Sequence, residues 1–127
     1  MAFQVAQGHD NVAGLVDVVV EPRHSGILYP RVIIAASGQK YYDGQPYAEW
    51  RWDYLRKATY QDLLTQLGLS DAVISAPVTV RLLKNDFTTW ANYNATAFLP
   101  DMGTQIEYRL GKFLNIVVVL RGLQEIT

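Results

Sequence analysis

The stretch YAEWRWDYLRKATYQDLLTQLGL, residues 47–69, changes its hydrophobic period part-way along. From Tyr47 to Tyr54 the side chains alternate, with Ala48, Trp50, Trp52 and Tyr54 on one side and Tyr47, Glu49, Arg51 and Asp53 on the other. Successive side chains of a strand point to opposite faces, so this is a half-buried strand with an aromatic inner face. Beyond it Tyr60, Leu63, Leu64 and Leu67 fall at i, i+3, i+4 and i+7, the single apolar stripe of a helix. Thr59 suits the N-cap and Asp62 stands three residues later, an approximate capping box. Gly68 suits the left-handed position after the last turn, with Leu69 supplying the apolar contact beyond it. The spacing therefore predicts a strand running into one short helix over about 59–67, whose stripe covers the tryptophans. Packing has to hold so short a helix, because propensity alone does not.

Outward from this junction the chain reads as strands. GLVDVVVEP (14–22) is β-branched and ends at Pro22; RHSGILYP (23–30) is a loop; RVIIAAS (31–37) is a second strand. SGQK (37–40) and YDGQP (42–46) are turn signals around a short KYY segment, with Asp43-Gly44 as a hairpin turn. After the helix, APVTVRLLK (76–84), TTWANYNATAFL (88–99), TQIEYRL (104–110) and KFLNIVVVLRGLQEI (112–126) read as strands. Asn85-Asp86, PDMG (100–103) and Gly111-Lys112 are the turns between them. Short turns imply antiparallel neighbours, and one helix is too few for a parallel crossover architecture. The expected fold is a single mainly-β domain over 1–127, an antiparallel β-sandwich or partly closed barrel with one short flanking α-helix.

Composition excludes several classes of function. Half of the 127 residues are hydrophobic and 18% are charged, a balance that favours a packed core over disorder. Eleven basic residues are spread among twelve acidic ones, giving a net charge of -1 and no electrostatic footprint for nucleic acid. With no cysteine there is no thiolate site, nucleophile or disulfide framework. The start, MAFQVAQGHDNV, lacks the pattern of a secretory signal, and FLNIVVVL (113–120) is too short to span a bilayer. The expectation is a protein with no membrane insertion and no cofactor.

Catalytic constellations are equally scarce. His9 and His24 each stand in turn-rich sequence, where a histidine is usually solvated, and no metal-ligand or phosphate-loop signature occurs. Glu49 and Asp53 are a conceivable carboxylate pair, but with Arg51 between them they read as a charge-balanced polar face. The expectation is a non-enzyme. Tyr41, Tyr42, Tyr47 and Trp90 are candidates for a carbohydrate- or ligand-binding platform, the alternative reading of function. The last strand is apolar on both sides: Leu114, Ile116, Val118 and Leu120 face one way and Phe113, Val117 and Val119 the other. Such a strand is buried on both faces, either inside its own domain or under a neighbouring subunit.

The order of parts resembles the small tail proteins of long-tailed bacteriophages: EWRWDYL, then TYQDLLTQLGL, PVTVRLL, WANYNATAFLP and FLNIVVVLRGLQEI, across about 47–126. The resemblance implies a tail-tube-like sandwich or barrel, shared with distal-tail and baseplate hub proteins, and no catalytic residues. It implies a non-enzymatic virion protein, made in the host cytoplasm, that forms rings with itself and joins other tail proteins. Tube-forming members extend a hairpin or loop to the next ring, and here the segment 22–46 is the candidate. The candidate interface residues are Tyr29, Tyr41, Tyr42, Tyr47, Phe113, Val117 and Val119.

Overall fold

The computed structural model describes residues 3–70, 72–99 and 107–126, and strands dominate it. In chain order they are β1 (Gln4–Gln7), β2 (Val16–Asp17), β3 (Arg23–His24), β4 (Arg31–Ile34), β5 (Lys40–Asp43) and β6 (Ala48–Arg56). The helix α1 (Lys57–Leu67) follows, then β7 (Ser75–Leu83), β8 (Trp90–Phe98), β9 (Glu107–Arg109) and β10 (Lys112–Glu125). Seven strands form one antiparallel sheet in the order β2-β1-β7-β8-β10-β6-β3, curled into a half-barrel, with β9 also paired to β10. The fold is mainly β with one short helix, as the periodicity predicts.

The two-faced last strand is explained by its place. β10 pairs with β6 along one edge and with β9 and then β8 along the other. Ile116, Val118 and Leu120 are completely buried, and Val117 on the opposite face is buried as well. Val117 is therefore enclosed within the chain itself, without a neighbouring subunit.

A half-barrel leaves two edges to be joined, and side chains do the joining. The helix packs against β1, β6 and β10, so it touches strands near both ends of the sheet order. Its Tyr60, Leu63 and Leu67 are buried in the same core as Trp50 and Trp52. Gln66 extends the seam: its amide donates to the Asp17 carbonyl and its oxygen accepts from the Val19 N–H. The Trp52 indole donates to the Val20 carbonyl at 2.9 Å, joining β6 to the segment after β2. At the other end Phe3, just before β1, packs against His24 of β3 and Trp50 of β6.

The helix starts at Lys57 and not after Thr59, with Arg56 at the N-cap and no side-chain cap. The expected Thr59–Asp62 capping box is not used. Instead the Lys57 N–H donates to the Gly111 carbonyl at the β9–β10 turn, so a neighbouring strand pair satisfies one of the free helix donors. The C-terminus follows the sequence: Gly68 is left-handed at φ 74 and Leu69, N–H bonded to the Leu64 carbonyl, is buried.

Other expectations need correction as well. The strict alternation of β6 holds through Trp52 and then shifts: Leu55 is buried while Tyr54 is 57% exposed. Across the ladder, Trp52 pairs with Ile116 and Tyr54 with Leu114, and between them Asn115 is left-handed at φ 55. That residue resets which face points inward, and asparagine tolerates the conformation better than most. Phe113 accordingly turns onto Tyr60, with ring centroids 4.2 Å apart.

The stretch 14–22 forms a ladder only at Val16–Asp17, because β2 is an edge strand with β1 as its single neighbour. Asp43-Gly44 is not a hairpin turn: β5 pairs back on β4 across 35–39, and Gly44 links β5 in line to β6. At φ 90, a Cβ on Gly44 would lie 2.5 Å from Pro30 Cγ, so only glycine fits. The sequence pattern marks no strand before residue 14, yet β1 pairs with both β2 and β7. The readings at 100–103 and 104–106 lie outside the described residues.

The β9–β10 turn is Leu110-Gly111, with Lys112 already paired to Arg109. Both turn residues have positive φ, 53 and 77, the geometry in which Asn-Gly is preferred. Leu110 is 93% exposed and so gains no burial in return. Leu110→Asn is expected to stabilise the fold by about 1 kcal/mol, measurable as a raised urea midpoint with unchanged slope.

Candidate assembly surface

β4 and β5 do not belong to the half-barrel. They form a separate two-stranded ribbon, Arg31 opposite Asp43 through Ile34 opposite Lys40, closed at its tip by Gly38 N–H to the Ala35 carbonyl. Its root is the bridge between Leu28 and Tyr47, with N–H···O distances of 2.7 and 2.8 Å, next to the start of β6. The chain from β3 to β6 is thus one long hairpin whose outer half leaves the sheet as an arm.

The arm's chemistry is unusual for free surface. Val32 is 55% exposed, Ile33 49%, Ile34 65% and Tyr41 48%. Paired residues share a face, so Ile33 and Tyr41 lie on one side and Val32 and Ile34 on the other. An open hollow of about 550 Å³ is lined by Val32, Ile34, Lys40 and Tyr41. A two-stranded ribbon is marginal in water by itself, and exposed apolar strand edges invite pairing. Apolar side chains on both faces of such a ribbon leave it in need of a cover.

The root is held firmly. Asn85, in the β7–β8 turn, accepts the Ile27 N–H and donates to the Ile27 carbonyl, at 2.8 and 2.9 Å. Arg31 pairs with Asp43 at 2.9 Å where the ribbon begins. Just inside, the His24 ring lies against Phe3 with centroids 5.0 Å apart, and its Nε2 is 3.2 Å from the Leu83 carbonyl. A carbonyl only accepts, so Nε2 carries the proton and the buried Nδ1 is left without a partner among the described residues.

Desolvation pushes the His24 pKa below its ordinary 6.5, outweighing the opposing effect of the Leu83 hydrogen bond. The unfolded chain then binds a proton that the folded chain refuses, so stability is lost as pH falls below about 6.5 and the loss levels off below the folded pKa. Thermal melts across pH 7.5 to about 4.5 should show that decline, and His24→Phe should flatten it; an unchanged slope in the variant contradicts this role.

No family model, curated protein or solved structure matches the chain. The surface therefore has to be judged on its own geometry. Of the seven candidate residues, Tyr41 and Tyr42 lie in the arm, although the side chain of Tyr42 is outside what the structure describes. Tyr29 and Tyr47 flank the root. Tyr29 lines a hollow with Tyr93, Lys84 and Glu125, and Tyr47 lines another with Pro30, Arg121 and Val119. Phe113 and Val117 are not brought there: one packs on the helix and the other is buried.

The carbohydrate candidates do not form one platform. Tyr41 is on the arm, Tyr47 is at its root, and Trp90 packs edge-on against Phe3 at 5.0 Å. Glu49 and Asp53 are each paired with an arginine, Glu49 with Arg51 at 2.8 Å and Asp53 with Arg23. Sequence reasoning missed Val32, Ile33 and Ile34, which look like any strand in isolation. The available signal was their isolation: Pro30 before them, Gly38 beyond, and Gly44 and Pro46 on the return keep the ribbon from joining its neighbours.

Proposed function

We propose that this chain is a non-enzymatic structural protein that assembles with copies of itself and with neighbouring proteins in the tail of a long-tailed bacteriophage, at the tail tip or baseplate or in the tube. The observation that supports self-assembly is the arm, a ribbon off the half-barrel with Val32, Ile33, Ile34 and Tyr41 turned to solvent. The place in a phage tail rests on the resemblance in the order of parts around EWRWDYL and TYQDLLTQLGL. Burial of the arm against another subunit supplies an apolar cover that none of the described residues provides for it.

The test is size-exclusion chromatography with light scattering over a wide concentration series, followed by electron microscopy of the assembled fractions. Concentration-dependent rings or higher assemblies are the expected result. A monomer at every concentration counts against the proposal.

A further inference from the structure

A second unusual feature lies at the β7–β8 turn. The Phe87 N–H closes a turn on the Lys84 carbonyl, and Phe87 itself is left-handed at φ 60, where glycine or asparagine is the common choice. Phe87 is 73% exposed. The turn is nonetheless braced, because the Asp86 carboxylate accepts the Thr88 and Thr89 N–H groups and the Thr89 hydroxyl. These bonds, the Thr89 hydroxyl foremost, hold the Asp86 pKa at about 2, so the turn presents an acid and an aromatic ring together at neutral pH.

A complementary surface lies elsewhere on the same chain. β3 pairs with β6 only at Arg51 and Trp50, and among the described residues no strand covers Trp52–Arg56 on that side. The fork where β3 leaves β6 is a groove of about 570 Å³ lined in part by Val20, Tyr54, Leu55, Arg23, Arg51 and Arg56. Three arginines there face two acids, Glu21 and Asp53. Arg23 and Arg51 are in ion pairs, whereas Arg56 has none among the described residues. Apolar walls with arginine guanidinium groups suit an aromatic ring, and the excess cation suits a neighbouring carboxylate.

Strand register places turn and groove at opposite ends. Leu83 pairs with Trp90, Tyr93 with Glu125 and Leu120 with Ala48, so the turn lies beyond the start of β6, while the groove follows its second half. We infer that the Asp86–Phe87 turn of one copy inserts into the β3–β6 groove of the next, with Phe87 against Val20, Tyr54 and Arg56. This rests on the self-assembly proposed above and adds the turn, held beside the arm's root by Asn85 and Ile27, to the arm at the same boundary between copies. Joining opposite ends of identical chains is a heterologous contact, which repeats into a ring or filament.

The experiment uses two variants and their mixture, read by light scattering and thermal melts. Phe87→Gly suits the left-handed turn, so its melting temperature should be unchanged or higher while assembly weakens at least tenfold. Arg56→Glu should assemble as poorly. Mixed one to one, the first variant supplies an intact groove and the second an intact turn, so discrete dimers should form that grow no further. Wild type that assembles while Phe87→Gly does so equally well overturns this contact and leaves self-assembly standing. Loss of assembly in both variants without dimers in the mixture also overturns the contact. A monomeric wild type at every concentration overturns contact and self-assembly together.

Discussion

Trp52→Ala is expected to cost about 3–5 kcal/mol of folding stability, enough to leave a domain of this size largely unfolded under mild denaturant. Three losses add. The ring is 5% exposed within the main core, so its removal leaves a cavity lined by its neighbours. The indole N–H bond to the Val20 carbonyl disappears, leaving that carbonyl to find another partner. The edge-on contact with Trp50, at 6.4 Å between centroids, goes as well. Because that N–H helps close the half-barrel, Trp52→Phe should retain most of the packing and lose chiefly the seam. Urea melts of the two variants separate the contributions. An alanine variant within about 1 kcal/mol of wild type would place Trp52 at a binding surface, where truncation costs little stability.

The arm carries the second large effect, on assembly instead of folding. Replacing both Val32 and Ile34 with serine removes two side chains that are more than half exposed in the single chain. Monomer stability should change by no more than about 0.5 kcal/mol. If the arm is buried between subunits, the exposed part of each side chain contributes about 1–2 kcal/mol there. Association should therefore weaken by about one and a half to three orders of magnitude. Sedimentation velocity across a concentration series measures this directly. Assembly equal to wild type in the doubly substituted chain would remove the arm from the interface.

Much of the fold is legible in the sequence. The period change between Tyr54 and Tyr60 announces a strand entering a helix, and Gly68 marks where that helix ends, because these signals depend on neighbours a few residues away. The helix start was less legible. Thr59 and Asp62 form a plausible cap, yet the Gly111 carbonyl, more than fifty positions along the chain, receives the Lys57 N–H. The same holds for Tyr54 and Phe113. Their faces follow from Asn115 adopting a left-handed backbone within a long strand, and alternation counted along one strand does not reveal such a reset. The candidate surface is half legible: the tyrosines of segment 22–46 stand out, while Val32, Ile33 and Ile34 read only as part of a short strand.

By itself, the sequence determined the mainly-β class, the single helix, the burial of Trp50 and Trp52, and a surface without a strong charge. Those properties follow from local period and composition, which fix what each segment must bury. Tertiary structure alone decided which strands join the half-barrel and which two leave it. Whether RVII is core or arm depends on whether a neighbouring strand is free to pair with it, and Gly44 against Pro30 and Asn85 against Ile27 settle that through close contacts between distant residues. An apolar strand has the same sequence signature in either place, so only the pairing around it separates a segment that completes the core from one that stays in solvent.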